Sequence, residues 1–503
     1  MKTIIKAVTL LALVLAILPS CGKSGHKGQT DGVSKITLVA DKSTKRMALA
    51  INADPSEQAN IWIDKNMNGT CDEGEQVTLF TNFQDHYTES KEILSEYNSL
   101  DPYSFSDAQK LANSETIDVR LNSDTLVIYG AVSQLSVRGT RLESIDISES
   151  SSIQALDCSR SELKSLKVGD NNSLQFLNVS KTDMTQLDLS QCESIETLYA
   201  SSSSLTDLKL PKANSNLKVL NMYHSLSLKE LDLSNQTNLK TVSLYEAREL
   251  RTLNLSGCTG LEAIICDKTD VAAGLTLNNC GVKYMSITGS FIPQSAGGQG
   301  ADVLDLTALK SLEWFKLYIT ADDEGIEPKL DVSGLDQLKE LDAGTRLSGL
   351  ILKGNSSLET LTAYSCNLTE LDLSDCRSLK KLEIYDNKLQ KINLSNVPEL
   401  EYLSASDNDL QEINLSKVPK LTYLSVSGNN LSSINISACP NLSDISLSRN
   451  PMSLELMVQL IKTLPNRTGK DQGQMSGTES LYNQDIESEA RKILEERNWN
   501  YNG

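Results

Sequence analysis

Leu358, Leu379, Leu400, Leu421 and Leu442 stand 21 residues apart, and the segments between them repeat one internal pattern. A fixed period of this length restricts the fold more than any other feature of the chain. Each unit is a single supersecondary element that cannot bury its own apolar edge and must stack on its neighbours. With Leu358 as position 1, the unit LETLTAYSCNLTELDLSDCRS has apolar residues at positions 1, 4, 6, 11, 14 and 16. The next three units, LKKLEIYDNKLQKINLSNVPE, LEYLSASDNDLQEINLSKVPK and LTYLSVSGNNLSSINISACPN, keep that frame. Toward the N-terminus the first position falls on Val132, Ile153, Leu174, Ile195, Leu217, Leu239, Leu261, Val282, Leu312 and Leu338, which makes about fifteen coils.

The periods inside one unit predict its shape. Positions 4 and 6 inward with 3, 5 and 7 outward is strand alternation, and positions 14 and 16 around an outward 15 predict a second short strand. Stacking such coils at roughly 4.8 Å turns the leucine columns into one core about 70 Å long. Asn387, Asn408, Asn429 and Asn450 recur at position 9, where a short amide is expected to hydrogen-bond the turning backbone of the neighbouring coil. Ser161, Thr182, Ser203 and Thr269 fill that column in earlier coils, a ladder of weaker hydroxyls.

The pattern L-x-x-L-x-x-x-x-N-x-L resembles the leucine-rich repeat. Its 21-residue form with L-D-L-S in the second strand resembles internalin-type repeats and surface lipoproteins of Gram-negative anaerobes. The resemblance covers residues 115–450 and implies an arc whose first strands line a concave face used for protein recognition. Internalin-type cysteine ladders sit at position 6, where only Cys158 and Cys266 match. Cys192, Cys258, Cys376 and Cys439 lie instead three residues before the next coil, in a column that holds Val397 and Val418 elsewhere. Packed thiols are the expectation there.

The N-terminus reads as an export signal. Lys2 and Lys6 flank the start of an apolar run from Ala7 to Leu18 that ends in Leu18-Pro19-Ser20-Cys21, too short to span a bilayer as a mature helix. It resembles the bacterial lipoprotein signal, which implies cleavage after residue 20 and lipid on Cys21. Residues 21–33 are polar and carry Gly22, Gly25, Gly28 and Gly32, the composition of a flexible tether. The resemblance implies an exported outer-membrane lipoprotein displayed at the cell surface, touching membrane only through its anchor. Gly22-Lys23-Ser24 lacks the acidic cluster that such surface-exported proteins often carry after the cysteine.

Capping regions are expected at both ends of the solenoid. Residues 34–81 contain KITLVA, RMALAI, NIWID and QVTLF, read as the strands of a small β module. Residues 82–114 form a linker or N-terminal cap. Residues 451–503 are expected to make a helical cap, with Leu454, Met457, Val458 and Ile461 on one face and a second helix from Asp485 to about Arg497.

Inside the β module, DKNMNGTCDEGE places Asp64, Asn66, Asn68, Asp72 and Glu75 at positions 1, 3, 5, 9 and 12 of the calcium-loop pattern, with Gly69 at the sharp turn and the Thr70 carbonyl as a further ligand. Calcium is thus the one cofactor suggested. A strand precedes this loop where an EF-hand has a helix, and Asn68-Gly69 is equally a hairpin-turn signal.

A formal charge of −19 on 503 residues excludes nucleic acid and anionic membranes as partners, since counterion release would supply no binding energy. The histidines are His26, His86 and His224. No Ser-His-Asp set, zinc cluster or phosphate loop can be assembled from the motifs, so a non-catalytic, monomeric scaffold is expected. Its ligand should sit on the concave face. Positions 3, 5 and 7 carry Phe176, Tyr199, Tyr223, Tyr245, Tyr284, Trp314, Tyr318, Tyr364, Tyr385, Tyr402 and Tyr423, all expected to project to solvent, with the partner set running from Tyr223 onward. Lengthened coils after Val282 and Leu312 should place loops near 290–301 and 321–328 beside Trp314 and Tyr318. Strand propensity alone would supply some of these tyrosines. A protein partner is the first reading; a glycan stacking on exposed rings is the alternative.

Overall fold

The computed structural model describes residues 33–82, 115–211, 215–271, 274–290, 303–320, 327–344, 346–477 and 484–501. The apolar leader, Cys21, the tether, the 83–114 linker and most of both loop insertions lie outside the described residues. The chain divides into two compact units. One comprises Met1–Lys229 with Asn235–Arg248, the other Glu230–Ser234 with Glu249–Gly503.

In the first unit the N-terminal strands and the first coil share their sheets. β1 (Lys35–Ala40) pairs antiparallel with β5 (Thr125–Tyr129) and with β7 (Leu142–Asp146), β3 (Trp62–Asp64) pairs antiparallel with the other edge of β5, and β2 (Arg46–Ala53) pairs antiparallel with β4 (Ile117–Arg120) and β6 (Val132–Ser136). β6 and β7 are the two strands of the first coil. The expected β module is therefore fused to the solenoid: it covers both open edges, which would otherwise present unpaired backbone. Residues Ile117 to Tyr129 belong to this cap rather than to a coil. QVTLF makes no strand. It is held by a single bridge of Trp62 to Gln76 and by backbone bonds from Val77 N to Ile61 O (3.0 Å) and Thr81 N to Ile51 O (2.8 Å).

From β6 onward a parallel ladder steps once per coil through Ala155–Asp157, Phe176–Asn178, Thr197–Tyr199, Val219–Asn221 and Thr241–Ser243. The second unit holds a ladder of the same kind from Ala263–Asp267 through Tyr284–Ser290, Trp314–Thr320, Glu340–Gly344, Thr360–Thr362, Lys381–Glu383, Tyr402–Ser404 and Tyr423–Ser425 to Asp444–Ser446. The register advances by whole coils, so every column meets its own kind. Leu358, Leu361, Ala363, Leu379, Leu382 and Ile384 are wholly buried, each full-sized aliphatic contributing about 1.5–3 kcal/mol on burial. This is the repeat solenoid that the period predicts, with the coil architecture that the leucine-rich-repeat resemblance implies.

Two details depart from the sequence reading. Second strands form at Ser165–Lys167, Gln186–Asp188, Val303–Asp305 and their neighbours, but from Leu358 onward no strand forms on that edge. Leu371 and Leu373 still point inward there. Besides the first-strand ladder, these coils are joined by bonds in the turn, as from Lys388 N to Leu368 O (2.9 Å) and Asp409 N to Leu389 O (3.0 Å). At the C-terminus the cap is not purely helical. Helix α1 (Leu454–Thr463), whose N-terminus is capped by the Ser453 side chain, leads to strand Gly473–Ser476; helix α2 (Gln484–Glu496) leads to strand Trp499–Tyr501. Both strands extend the parallel ladder beyond Asp444–Ser446.

Candidate ligand-binding face

The face is built by the corner of each coil. The residue after the outward strand positions is left-handed in coil after coil, with φ of 56° at Arg160, 57° at Lys181, 57° at Asp386 and 53° at Asp407. Non-glycine residues accept this at a cost of roughly 1–2 kcal/mol each, offset by the position 9 side chains that fix the turn. Asn408 Nδ2 donates to Ile384 O (2.9 Å) and Ala405 O (3.2 Å), and its Oδ1 accepts from Leu389 N (3.1 Å), so one amide ties successive coils. Asn387, Asn429 and Asn450 repeat the arrangement. The hydroxyls of Ser161, Thr182, Ser203 and Thr269 each bond a carbonyl three residues back in their own coil. These corners hold positions 3, 5 and 7 at a constant spacing on the sheet face opposite the core.

In the first unit Phe176 is only 4% exposed and packs against Ala155, with Tyr199 at its side (centroids 5.8 Å). The expectation that these rings project to solvent is corrected: adjacent large rings on a tightly spaced sheet cover each other. Tyr223 and Tyr245 form a stacked pair (5.4 Å, 9°), beside His224 Nδ1 and Glu246 Oε2 at 3.0 Å.

The second unit carries the denser set. Tyr284 and Trp314 are register neighbours. Tyr364 stacks on Tyr385 (4.8 Å, 4°) and Tyr402 on Tyr423 (4.1 Å, 3°), because a residue repeated at one position of adjacent coils is offered at the inter-strand spacing. Tyr318 lies over Gly344, where a Cβ would collide with its ring. Its hydroxyl donates to both oxygens of Asp342 (2.8 and 2.9 Å) and accepts from the Tyr364 hydroxyl (3.0 Å). Burial, followed by Tyr364 and Asp342, drives the Tyr318 phenol far upward; burial also raises the Asp342 carboxyl, opposed by Tyr318. Lys316 stands 5.1 Å from the Tyr318 centroid and Lys381 5.4 Å from that of Tyr402, while Lys381 also pairs with Glu383 (2.9 Å). All these tyrosines and Trp314 are half-buried rather than free in solvent. The Tyr318, Asp342 and Gly344 arrangement was missed in the sequence, although a glycine at position 7 one coil after a tyrosine at position 7 is its signal.

The suggested calcium loop is folded on itself. Asp64 is 1% and Glu75 4% exposed. Asp64 accepts from Asn68 N (3.2 Å) and Gly69 N (2.9 Å), and Glu75 from Lys65 N (2.8 Å) and Asp72 N (2.9 Å). Asn66 and Asn68 both donate their amides to Asp72 Oδ2 (2.7 Å each), and Thr70 donates to Asn68 Oδ1. Among the described residues no three Asp, Glu, His or Cys side chains converge to hold a metal. The donors match calcium in type and spacing, and binding needs the two asparagine oxygens to turn inward.

Cys158, Cys192, Cys258, Cys266, Cys280, Cys366, Cys376 and Cys439 are buried thiols outside any disulfide. Among the described residues no helix is long and apolar enough to cross a membrane.

No family model matches the chain, and a comparison with curated proteins gives no match. Among solved structures, the functional domain of InlJ from Listeria monocytogenes, which includes a cysteine ladder, is 19% identical over 65% of this chain and 76% of its own, with a TM-score of 0.35. An internalin, InlF, from the same organism is 18% identical over 74% and 86%, with a TM-score of 0.38. YopM from Yersinia enterocolitica is 20% identical over 66% and 80%, with a TM-score of 0.32. Scores this low carry no weight of their own; the solenoid is read from the strand ladders of this chain.

Proposed function

We propose that this chain is a membrane-anchored, extracytoplasmic binding scaffold without a catalytic step, and that it recognises a protein partner through the ring face of its second unit. The carrying observation is the set Trp314, Tyr318, Tyr364, Tyr385, Tyr402 and Tyr423, held by a regular ladder on the side away from the core. Rigid amphipathic rings give contact area at little entropic cost, and truncating such an anchor removes about 2 kcal/mol or more of binding. A protein is favoured over a glycan by the stacking itself. A sugar needs an open ring face, whereas Tyr364 with Tyr385 and Tyr402 with Tyr423 cover one face of each other. Trp314→Ala with Tyr318→Ala should weaken binding of the partner captured by the wild-type chain about thirtyfold or more and lower stability by only about 1–3 kcal/mol, the cost of leaving Asp342 and Tyr364 without the Tyr318 hydroxyl. Equal binding by the double variant moves the site off this face.

Anchoring rests on Leu18-Pro19-Ser20-Cys21 behind a short apolar run. Stable attachment takes more than one acyl chain, and Cys21→Ala should release the protein into the soluble fraction; a variant still wholly membrane-bound after carbonate washing refutes the anchor. Calcium at residues 64–75 is proposed on the same footing. Among the described residues Asp64, Asp72 and Glu75 lie within one 12-residue loop and accept hydrogen bonds from uncharged N–H groups without an ion pair, so a cation there would add a positive charge that those donors do not supply.

A further inference from the structure

We infer that the partner presents an arginine side chain to Asp342, which makes this carboxylate the specificity-determining group of the ring face. The inference rests on the reading of that face as the binding surface. Between Trp314 and Tyr423, strand positions 3, 5 and 7 carry the charges of Lys316, Glu340, Asp342, Lys381 and Glu383. Lys381 and Glu383 neutralise each other at 2.9 Å. Asp342 is half-buried and makes no ion pair among the described residues; it accepts from the Tyr318 hydroxyl, one neutral donor shared between two oxygens. Lys316, the register neighbour of Asp342, stands 5.1 Å from the Tyr318 centroid and favours the ionised carboxylate without forming an ion pair, yet burial still holds the Asp342 carboxyl above its usual value. A carboxylate withdrawn from water with a single neutral donor is under-compensated, and a cation brought by a ligand restores what desolvation removed.

Arginine fits better than lysine for three reasons. Its planar donors can engage the lone pairs of both Asp342 oxygens that the tyrosine leaves open. Its guanidinium can lie against a phenol ring, and Tyr318, which holds Asp342, is the ring beside it. It is also more weakly hydrated than an ammonium, so less is lost on entering a half-buried site. Gly344 belongs to the same device. Without a Cβ it lets the Tyr318 ring lie flat and deliver its hydroxyl to Asp342, which fixes the carboxylate in one orientation before a ligand arrives.

The test uses the mature full-length chain and labelled hexa-arginine, with hexa-lysine and hexa-serine as comparison probes, at about 0.15 M salt to screen long-range attraction. Hexa-arginine should bind about tenfold tighter than hexa-lysine. Asp342→Asn, which keeps an acceptor for Tyr318 and hence the fold, should abolish that preference and lower hexa-arginine affinity about tenfold or more. Asp372→Asn, an equal charge change at an exposed position 15, should change neither. Equal affinity for the two cationic peptides overturns the inference, as does an equal loss in both variants, which would mean diffuse attraction to an acidic protein. If Asp342→Asn leaves the captured partner bound as tightly as wild type while the Trp314 and Tyr318 double variant loses it, the arginine inference falls and the ring face stands. If neither variant loses the partner, the ring face itself falls.

Discussion

At the scale of single residues, the same column does different work in different coils. An asparagine at position 9 has donors and an acceptor enough to bond its own coil and the coils beside it, and Asn408 does so. Ser203 has one hydroxyl and spends it on Ala200 O in its own coil (2.8 Å). A left-handed residue precedes both kinds alike, so the difference in reach comes from the amide itself, which has two donor hydrogens and an acceptor where the hydroxyl has one donor. The calcium loop is a parallel case. Asp64, Asn66, Asn68, Thr70, Asp72 and Glu75 have calcium spacing, yet in the structure the two asparagine amides satisfy Asp72 with their nitrogens. Calorimetric titration of the full chain with calcium should show saturable binding between about 10⁻⁶ and 10⁻³ M, the range of sensor and extracellular sites, and Asp64→Asn should remove it. No heat at millimolar calcium leaves a self-satisfied turn.

At the scale of elements, period 21 made the first strand of every coil legible, because alternation about positions 4 and 6 leaves no other way to bury leucine. The second strand was over-read. Positions 14 and 16 still point inward after Leu358, but inward side chains do not oblige the backbone to pair. The caps were legible as helices and strands and not in their pairing, which joins residues distant in sequence such as Thr37 and Asp146. The C-terminal strand is a further example. Trp499 is buried, its indole N–H donates to Pro465 O (2.8 Å), and its ring lies where a Cβ on Gly473 would be only 2.6 Å away. Trp499→Ala should cost about 3–5 kcal/mol in urea unfolding by opening a cavity at the end of the core. A loss below about 1 kcal/mol would mean the last strand does not share in cooperative unfolding.

At the scale of the whole molecule, each unit is a stack whose regularity serves two ends: inward it aligns leucines, outward it aligns whatever stands at positions 3, 5 and 7. The rings of the second unit could be listed from the sequence. Their mutual stacking and the clamp on Tyr318 could not, because side-chain packing across coils 20 or more residues apart is invisible to spacing. Tyrosine footprinting by hydroxyl radicals, with and without the partner captured by the wild-type chain, tests the ring face most directly. Binding should protect Tyr318, Tyr364, Tyr385, Tyr402 and Tyr423 and leave exposed second-strand residues such as Val303 and Ile351 unchanged. Unaltered tyrosine reactivity, with protection confined to the second-strand edge, would contradict the account.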